Sequence, residues 1–197
     1  MTQPPPPTES APARIGPGRL LLVVGPSGAG KDTVIAGARA ACAARAGVVF
    51  PRRVVTRDAS AAEDHDSLDQ AGSDRALADG AFAFWWPAHA LRYGIPRAID
   101  DDIRAGRTVV CNVSRGIVAE LRLRYTNVVA VRITAPADIL AARLAGRGRS
   151  SDGSLPDRIQ RNEAYAGFQP DRTIDNSGSP AAAIRRLVKL IESGPTG

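Results

Sequence analysis

Gly25-Pro-Ser-Gly-Ala-Gly-Lys-Asp-Thr33 decides the fold of this chain, because it is a phosphate-binding loop that departs from the general pattern at one position. The pattern is G-x-x-x-x-G-K-[ST], and Asp32 stands where the Ser or Thr belongs. The apolar segment 19–24 before the loop predicts a buried strand, and the Ala-rich segment 33–45 after it predicts a helix. Strand, glycine loop and helix form the context that this motif requires.

The loop composition indicates the ligand. Glycines allow consecutive backbone N–H groups to face a phosphate chain, and the helix N-terminus adds its partial positive charge. Lys31 is expected to reach the β- and γ-phosphates. The sequence therefore predicts binding of a nucleoside triphosphate. The residues expected to contact it are Gly25, Ser27, Gly28, Ala29, Gly30, Lys31, Asp32 and Thr33.

Composition narrows the class of substrate. A chain of 197 residues is long enough for one α/β domain with a sizeable core. The net charge of +6 comes from arginine and suits an anionic partner. With three Tyr, four Phe and two Trp, the surface for stacking single-stranded nucleic acid is thin. A small phosphorylated substrate is therefore favoured over nucleic acid.

The cysteines and the N-terminus exclude other classes. Cys42 and Cys111 have no His or Cys at ligand spacing, which predicts reduced core cysteines rather than a zinc site or a disulfide. Residues 1–18 are Pro-rich and contain no long apolar run, so we expect a disordered tail and neither a secretory signal nor a membrane segment. We expect a cytoplasmic protein without a membrane partner, for which a homodimer is an open possibility.

Predicted strands and helices alternate along residues 19–197, which indicates an α/β fold with a parallel sheet covered by helices on both faces. Further strands are predicted at 47–56 (interrupted or bent at Pro51), at 82–86, near Tyr93, at 108–112, at 127–133 and near 173–174. Helices are predicted within 57–80 and at 96–105, 115–124, 136–144, 156–165 and 180–192. This order of elements resembles that of the P-loop kinases, and we expect a small acceptor-binding insert at about 56–95 and a lid at about 146–158.

Arginines are the candidate catalytic groups. Phosphoryl transfer depends on positioning and on positive charge around the transferring group, and a phosphate acceptor is already anionic. Arg57 follows a predicted strand and could clamp an acceptor phosphate, or be an ordinary exposed strand-end arginine. Arg147 and Arg158 lie in and after a Gly/Arg/Ser-rich segment that suits a mobile lid, although a solvated basic loop is the alternative.

Aromatic and acidic residues suggest the acceptor pocket. Trp86 and Tyr93 could line it, with the tyrosine hydroxyl on a phosphate; packing within the core is an equal alternative for the tryptophan. Glu63-Asp-His-Asp66 could bind sugar hydroxyls or a magnesium ion shared with phosphates, or form a solvated acidic loop.

These elements, in this order, resemble the guanylate-kinase-like P-loop kinases over residues 19–192. The similarity lies in the glycine loop, Thr56-Arg57, Tyr93-Gly94 and Arg147-Gly148. Two departures concern the acceptor. Ser60 replaces a second arginine, and the strand that ends Asp-Ile-Asp in guanylate kinases ends Asn112-Val-Ser114 here. The lost carboxylates help to read guanine, so GMP is a poor substrate.

The departures resemble one subfamily, the ribose 1,5-bisphosphate phosphokinases of phosphonate breakdown. Its signatures are similar to Lys31-Asp-Thr33, Thr56-Arg-Asp-Ala-Ser60, Glu63-Asp-His65, Trp86 with Tyr93-Gly94, Asn112 with Ser114-Arg115, Arg147-Gly-Arg149 and Asp175-Asn-Ser-Gly178. Val113 stands where that subfamily has glycine.

The resemblance implies transfer of the γ-phosphoryl group of ATP, with Mg²⁺, to the 1-phosphate of ribose 1,5-bisphosphate. It implies phosphate contacts from Arg57, Arg115 and Tyr93, hydroxyl contacts from Glu63, Asp64 or His65, and a part for Ser114. The rivals are a guanylate kinase and a non-catalytic binding module of the same fold. The second is disfavoured by the intact glycine loop and its lysine.

The aspartate of the loop suggests a metal ligand. A carboxylate next to a triphosphate is repulsive unless a cation lies between them, so Asp32 is the candidate ligand for Mg²⁺. In the alternative, Asp32 only stabilises the helix N-terminus and Thr33 serves the metal.

We expect Arg147→Ala to lower turnover far more than ATP affinity, because a lid arginine acts mainly in the transition state. Steady-state kinetics with calorimetric ATP binding checks this. Equal losses in both quantities would contradict the lid assignment.

Overall fold

The strand before the glycine loop, β1 (Ile15–Val24), is the middle strand of a five-stranded parallel sheet. This holds in the computed structural model, which describes residues 13–56, 65–88, 90–145 and 168–194. The other strands of this sheet are β2 (Val48–Val49), β7 (Thr108–Asn112), β8 (Tyr125–Thr134) and β9 (Arg172–Asp175), and the order across the sheet is β2-β7-β1-β8-β9. The parallel α/β fold predicted from the sequence is confirmed.

A second, four-stranded sheet lies in the segment where the acceptor-binding insert was predicted. Its strands are β3 (Arg53–Val55), β4 (His65–Ser67), β5 (Phe82–Ala88) and β6 (Leu91–Pro96), in the order β4-β3-β6-β5. The described helices are α1 (Lys31–Ala41), α2 (Gln70–Ala78), α3 (Ile99–Arg104), α4 (Val118–Arg124), α5 (Ala137–Ala145) and α6 (Pro180–Glu192), with a 3₁₀ turn at Arg115–Ile117.

The apolar run of β1 explains why helices cover both faces of the parallel sheet. Successive side chains of a strand point to opposite faces, so Leu20 and Leu22 pack into one core and Leu21 and Val23 into another. The first core includes residues of α3, α4 and the second sheet, whereas the second includes residues of α1 and α6. The loop that follows β1 therefore emerges between two packed layers.

Pro51 separates two strands rather than bending one. The segment 47–56 was predicted as a strand interrupted or bent at Pro51. The interruption is confirmed, since β2 pairs with β7 in the parallel sheet and β3 pairs with β4 and β6 in the second sheet. Proline has no backbone N–H for a ladder and restricts the residue before it. The chain thus changes sheets at this point, which lets residues close in sequence build both the parallel sheet and the second sheet.

Other boundaries differ by a few residues. β1 begins at Ile15, inside the stretch 1–18 that was predicted as a disordered tail, while α1 ends at Ala41 instead of residue 45. The helix predicted over 115–124 begins as a 3₁₀ turn. The lid at 146–158 and the helix at 156–165 lie outside the described residues.

Both cysteines occupy the cores, as expected from the sequence. Cys42 and Cys111 are buried and free, and burial raises the pKa of each thiol. The thiols therefore stay protonated and are poor nucleophiles. Among the described helices, none is both long and apolar enough to cross a membrane.

Arg19 joins the central strand to the end of the last helix. The side chain is 5% exposed, and its guanidinium donates to the carbonyl oxygens of Ile191 at 2.5 Å and of Gly194 at 2.6 Å. Carbonyl groups at the end of a helix have no partner within the helix, and a cation there also opposes the negative end of the helix dipole.

We expect Arg19→Leu to lower the free energy of unfolding by about 2 kcal/mol, because two charge-assisted hydrogen bonds are lost and the buried carbonyl of Ile191 loses this partner. Urea unfolding followed by circular dichroism measures this. The control is Arg45→Ala, which removes only an exposed ion pair with Glu192 on the same helix and should cause a much smaller loss. Equal losses for the two variants would show that the buried contacts of Arg19 carry no special weight.

Candidate active site

Two positions of the loop require glycine because other parts of the chain approach the backbone closely there. A side chain at Gly25 would place its Cβ 2.1 Å from the carbonyl oxygen of Ile133, and the φ angle of Gly25 is 147°. At Gly30, with φ of 81°, the Cβ would lie 2.6 Å from Nδ2 of Asn176. Both φ angles are unfavourable for residues with a side chain. The first and last glycines of the motif are therefore fixed by β8 and by the segment after β9.

The loop presents positive groups where a phosphate chain would lie. Helix α1 starts at Lys31, and its N-cap residue, Gly30, has no side chain with which to cap the first N–H groups of the helix. The ammonium of Lys31 donates to the carbonyl oxygens of Gly25 at 2.9 Å and Pro26 at 3.0 Å. A lysine held across the loop beside the start of a helix is suited to bind an anion.

Asn176 fastens the loop from outside, a role that the sequence did not reveal. Its side chain is 2% exposed, and Nδ2 donates to the carbonyl oxygen of Ala29 at 2.8 Å. The backbone of Asn176 is held as well, since its N–H donates to Thr134 at 2.7 Å and its carbonyl accepts from Arg143 at 2.9 Å. The available signal was an asparagine directly after a strand, in Asp175-Asn-Ser-Gly178.

Asp32 is bound to the end of a neighbouring strand. Nδ2 of Asn112, the last residue of β7, donates to Oδ1 of Asp32 at 2.7 Å. Strand β7 runs beside β1, and Asn112 pairs in register with Val23. The hydrogen bond therefore joins the first turn of α1 to the carboxyl edge of the sheet, where parallel α/β folds bind ligands.

The donor set at this edge fits magnesium. Asp32 and Thr33 are exposed in the first turn of α1 and offer a carboxylate and a hydroxyl, both oxygen ligands. No cluster of three or more His, Cys, Asp or Glu that could hold a metal occurs among residues 13–56, 65–88, 90–145 and 168–194. Mg²⁺ in nucleotide sites uses one or two carboxylates together with phosphates and water, so one carboxylate suits a metal that arrives with the nucleotide.

The aromatic residues of the second sheet form a stacked column. The rings of Trp86 and Tyr93 are 5.5 Å apart and nearly parallel, and the guanidinium of Arg53 lies 5.0 Å from the centre of the Tyr93 ring. Trp86 is 5% exposed and belongs to the first core, whereas its neighbour Trp85 is 45% exposed. This burial favours the packing alternative for Trp86, and Tyr93 is the more accessible ring.

The other residues predicted to bind the acceptor, within the described part of the chain, lie on two segments. His65 is buried at the start of β4, in register with Arg53. Ser114 follows β7, and its hydroxyl accepts from the N–H of Gly116 at 3.3 Å. Ser114 thereby caps the 3₁₀ turn that contains Arg115. Val113, found in place of the expected glycine, is buried in the first core and continues the pairing with Val23 at 3.1 Å.

Four predicted site residues lie outside the described part of the chain: Arg57, Glu63, Arg147 and Arg158. Their roles stay predictions. Thr56, directly before Arg57, is held by β6 through two hydrogen bonds to the backbone of Arg92 at 2.7 and 3.0 Å. Arg57, the predicted phosphate clamp, therefore follows a residue that is anchored to the neighbour of Tyr93.

Comparison with known proteins gives the family. The chain is 57% identical over 180 residues to the ribose 1,5-bisphosphate phosphokinase PhnN of Rhodopseudomonas palustris, which covers 91% of each chain. It belongs to the ribose 1,5-bisphosphate phosphokinase family. The PhnN protein of Bradyrhizobium diazoefficiens is 54% identical, over 91% of this chain and 90% of the relative. The resemblance inferred from the sequence is thereby confirmed.

Solved structures support the same fold. Guanylate kinase from Anaplasma phagocytophilum superimposes with a TM-score of 0.65, covering 89% of this chain and 85% of the other, at 20% sequence identity. No family model matches the chain. The phosphokinase family thus has the guanylate-kinase-like fold, and the chain is a kinase.

We expect Asn176→Ala to weaken nucleotide binding, because the buried carbonyl of Ala29 loses its partner and the loop is held less firmly. Leaving a buried acceptor unpaired costs about 1–3 kcal/mol, and part of this should appear as a several-fold higher Kd for ADP in calorimetry. Ser177→Ala is the matched control, since that hydroxyl donates only to Asp175 at 2.6 Å. Equal ADP affinity in the Asn176 variant and the wild type would show that the contact does not support binding.

Proposed function

We propose that the protein transfers the γ-phosphoryl group of ATP to the 1-phosphate of ribose 1,5-bisphosphate, giving 5-phosphoribosyl 1-diphosphate and ADP. The glycine loop with Lys31 supports the nucleotide half of this reaction. The names of the relatives support the acceptor. The observation that carries the choice of acceptor is the arrangement of side chains at the end of β7.

None of the three residues at that strand end, Asn112, Val113 and Ser114, carries a carboxylate for a guanine base. The amide of Asn112 is engaged with Asp32, Val113 is 5% exposed within the core, and the hydroxyl of Ser114 begins the following turn. Guanine presents N–H donors at N1 and N2, and leaving such donors unpaired in a pocket is costly. A ribose bisphosphate has no base to recognise, so the same arrangement suits it.

The proposed reaction needs no general base. A non-bridging oxygen of the acceptor phosphate, already deprotonated at neutral pH, forms a bond to the γ-phosphorus. The bond between that phosphorus and the β,γ-bridging oxygen breaks, and ADP leaves with that oxygen and its electron pair. Lys31 and the backbone N–H groups of the loop hold the phosphates, and Arg147 and Arg158 are proposed to neutralise the transferring group. When bound, Mg²⁺ supplies further charge neutralisation, with Asp32 and Thr33 as its candidate ligands.

The acceptor offers two phosphates and two hydroxyl groups. We assign the phosphates to Arg57, Arg115 and Tyr93, because guanidinium groups bind phosphate bidentately. Glu63 and His65 are proposed for the hydroxyls, and Trp86 supports Tyr93 through the stacked rings. These assignments describe a cytoplasmic enzyme that acts on a small phosphorylated sugar, and a homodimer is a further possibility.

A screen of acceptors with ATP and Mg²⁺, followed by phosphorus NMR, tests the proposal. With ribose 1,5-bisphosphate we expect ADP together with two coupled signals of a new diphosphate ester. GMP should give at most about one hundredth of that rate, since a pocket without matching polar partners rejects such a substrate by at least that factor.

Two outcomes would overturn the proposal. Rapid formation of GDP with an inert ribose bisphosphate would identify a guanylate kinase. Intact ATP in the presence of every acceptor, together with measurable nucleotide binding, would identify a binding module that has lost catalysis.

A further inference from the structure

The hydrogen bond between Asn112 and Asp32 joins the metal-binding position of the loop to the end of the neighbouring strand. In P-loop NTPases the metal is held by a Ser or Thr of the loop and by an Asp elsewhere. Here the loop position carries the carboxylate of Asp32, and the neighbouring strand ends in the amide of Asn112. The two side chains meet at 2.7 Å although they are 80 residues apart.

The direction of this hydrogen bond follows from chemistry. An ionised carboxylate only accepts, so the amide must present its NH₂ group to Asp32. The amide cannot move freely, because the flanking residues Cys111 and Val113 are buried in the first core and the N–H of Val113 donates to Val23 at 3.1 Å. Since neighbouring side chains of a strand alternate, Asn112 is directed away from that core. Asp32, in contrast, is exposed at the start of α1.

We infer that Asn112 and Asp32 are a reversed version of the usual pair, in which the hydrogen-bond donor and the carboxylate have exchanged sides. The strand supplies the donor, and the loop supplies the single negative charge. Asn112 is a positioning residue: it occupies Oδ1 of Asp32 and fixes the plane of the carboxylate, which leaves Oδ2 for a metal that arrives with the triphosphate. The inference rests on the use of a metal–nucleotide complex in the proposed function.

The inference differs from the alternative in which Asp32 only stabilises the N-terminus of α1. A helix-terminal carboxylate acts through its charge and does not depend on the residue at the end of β7. A reversed pair makes the two positions interdependent. Restoring the usual arrangement, with a hydroxyl on the loop and a carboxylate on the strand, should then restore metal binding.

The experiment measures Mn²⁺ binding by electron paramagnetic resonance in the presence of a non-hydrolysable ATP analogue. Asn112→Ala should weaken Mn²⁺ affinity about tenfold or more, the size expected when a partner of a metal ligand is lost. Asp32→Ser removes the proposed ligand itself and should weaken it at least as much. The double variant Asp32→Ser/Asn112→Asp should return to within about threefold of the wild type. Asp32→Ser/Asn112→Ala should stay as weak as Asp32→Ser.

Two controls separate positioning from folding. Thr108→Val changes the opposite end of β7 and should bind Mn²⁺ as the wild type does. Binding of the same analogue in EDTA, measured by calorimetry, should change less than twofold in Asn112→Ala, because the loop itself is intact. If metal-free binding falls as much as Mn²⁺ affinity, Asn112 is a structural residue and the inference is wrong.

The inference is also overturned if Asn112→Ala binds Mn²⁺ normally, or if the double variant Asp32→Ser/Asn112→Asp is no better than Asp32→Ser alone. No sugar acceptor is present in these measurements. Failure of the ribose bisphosphate proposal would therefore leave their outcome unchanged, and the two ideas fail separately.

Discussion

The burial of β1 on both faces is the constraint on which the rest of this structure depends. Its residues from Gly18 to Val24 are all buried, and Leu20 to Val24 are wholly inaccessible. A strand without a solvated face must lie in the middle of a sheet with a layer on each side. Both cores are built on its alternating side chains. The loop after Val24 therefore opens at the carboxyl edge, between those layers.

Contacts to the loop come from the ends of three other strands. Ile133 near the end of β8 approaches Gly25, Asn176 after β9 holds Ala29, and Asn112 at the end of β7 binds Asp32. In a parallel sheet these ends meet at one edge. The loop thus inherits its rigidity from the sheet and needs few internal hydrogen bonds. This explains why residues distant in sequence share the support of one short segment.

Much of the fold could be predicted because the local signals were strong. The strand at 108–112 and the helix at 180–192 have the predicted bounds, since an apolar β-branched run and an amphipathic run with Ser179 before Pro180 are clear local patterns. At 47–56 the sequence predicted a strand interrupted or bent at Pro51 but not the change of sheet, for a physical reason. A bend and a change of sheet have the same local signature at Pro51, and only the partners β7 and β6 distinguish them. The orientation of the two tryptophans could not be predicted either, because the alternation of side chains along a strand does not say which of Trp85 and Trp86 faces the core.

The sequence by itself determined the phosphate-binding loop, the parallel α/β class and the family, because glycine spacing, lysine and apolar periodicity are encoded within short segments. The tertiary structure alone decided what Asp32 touches, which asparagine fastens Ala29, and how Arg19 ends the last helix. Each of these contacts joins residues 80 or more positions apart. Such pairs form when strands are placed in order within a sheet, and no local pattern along the chain specifies that order.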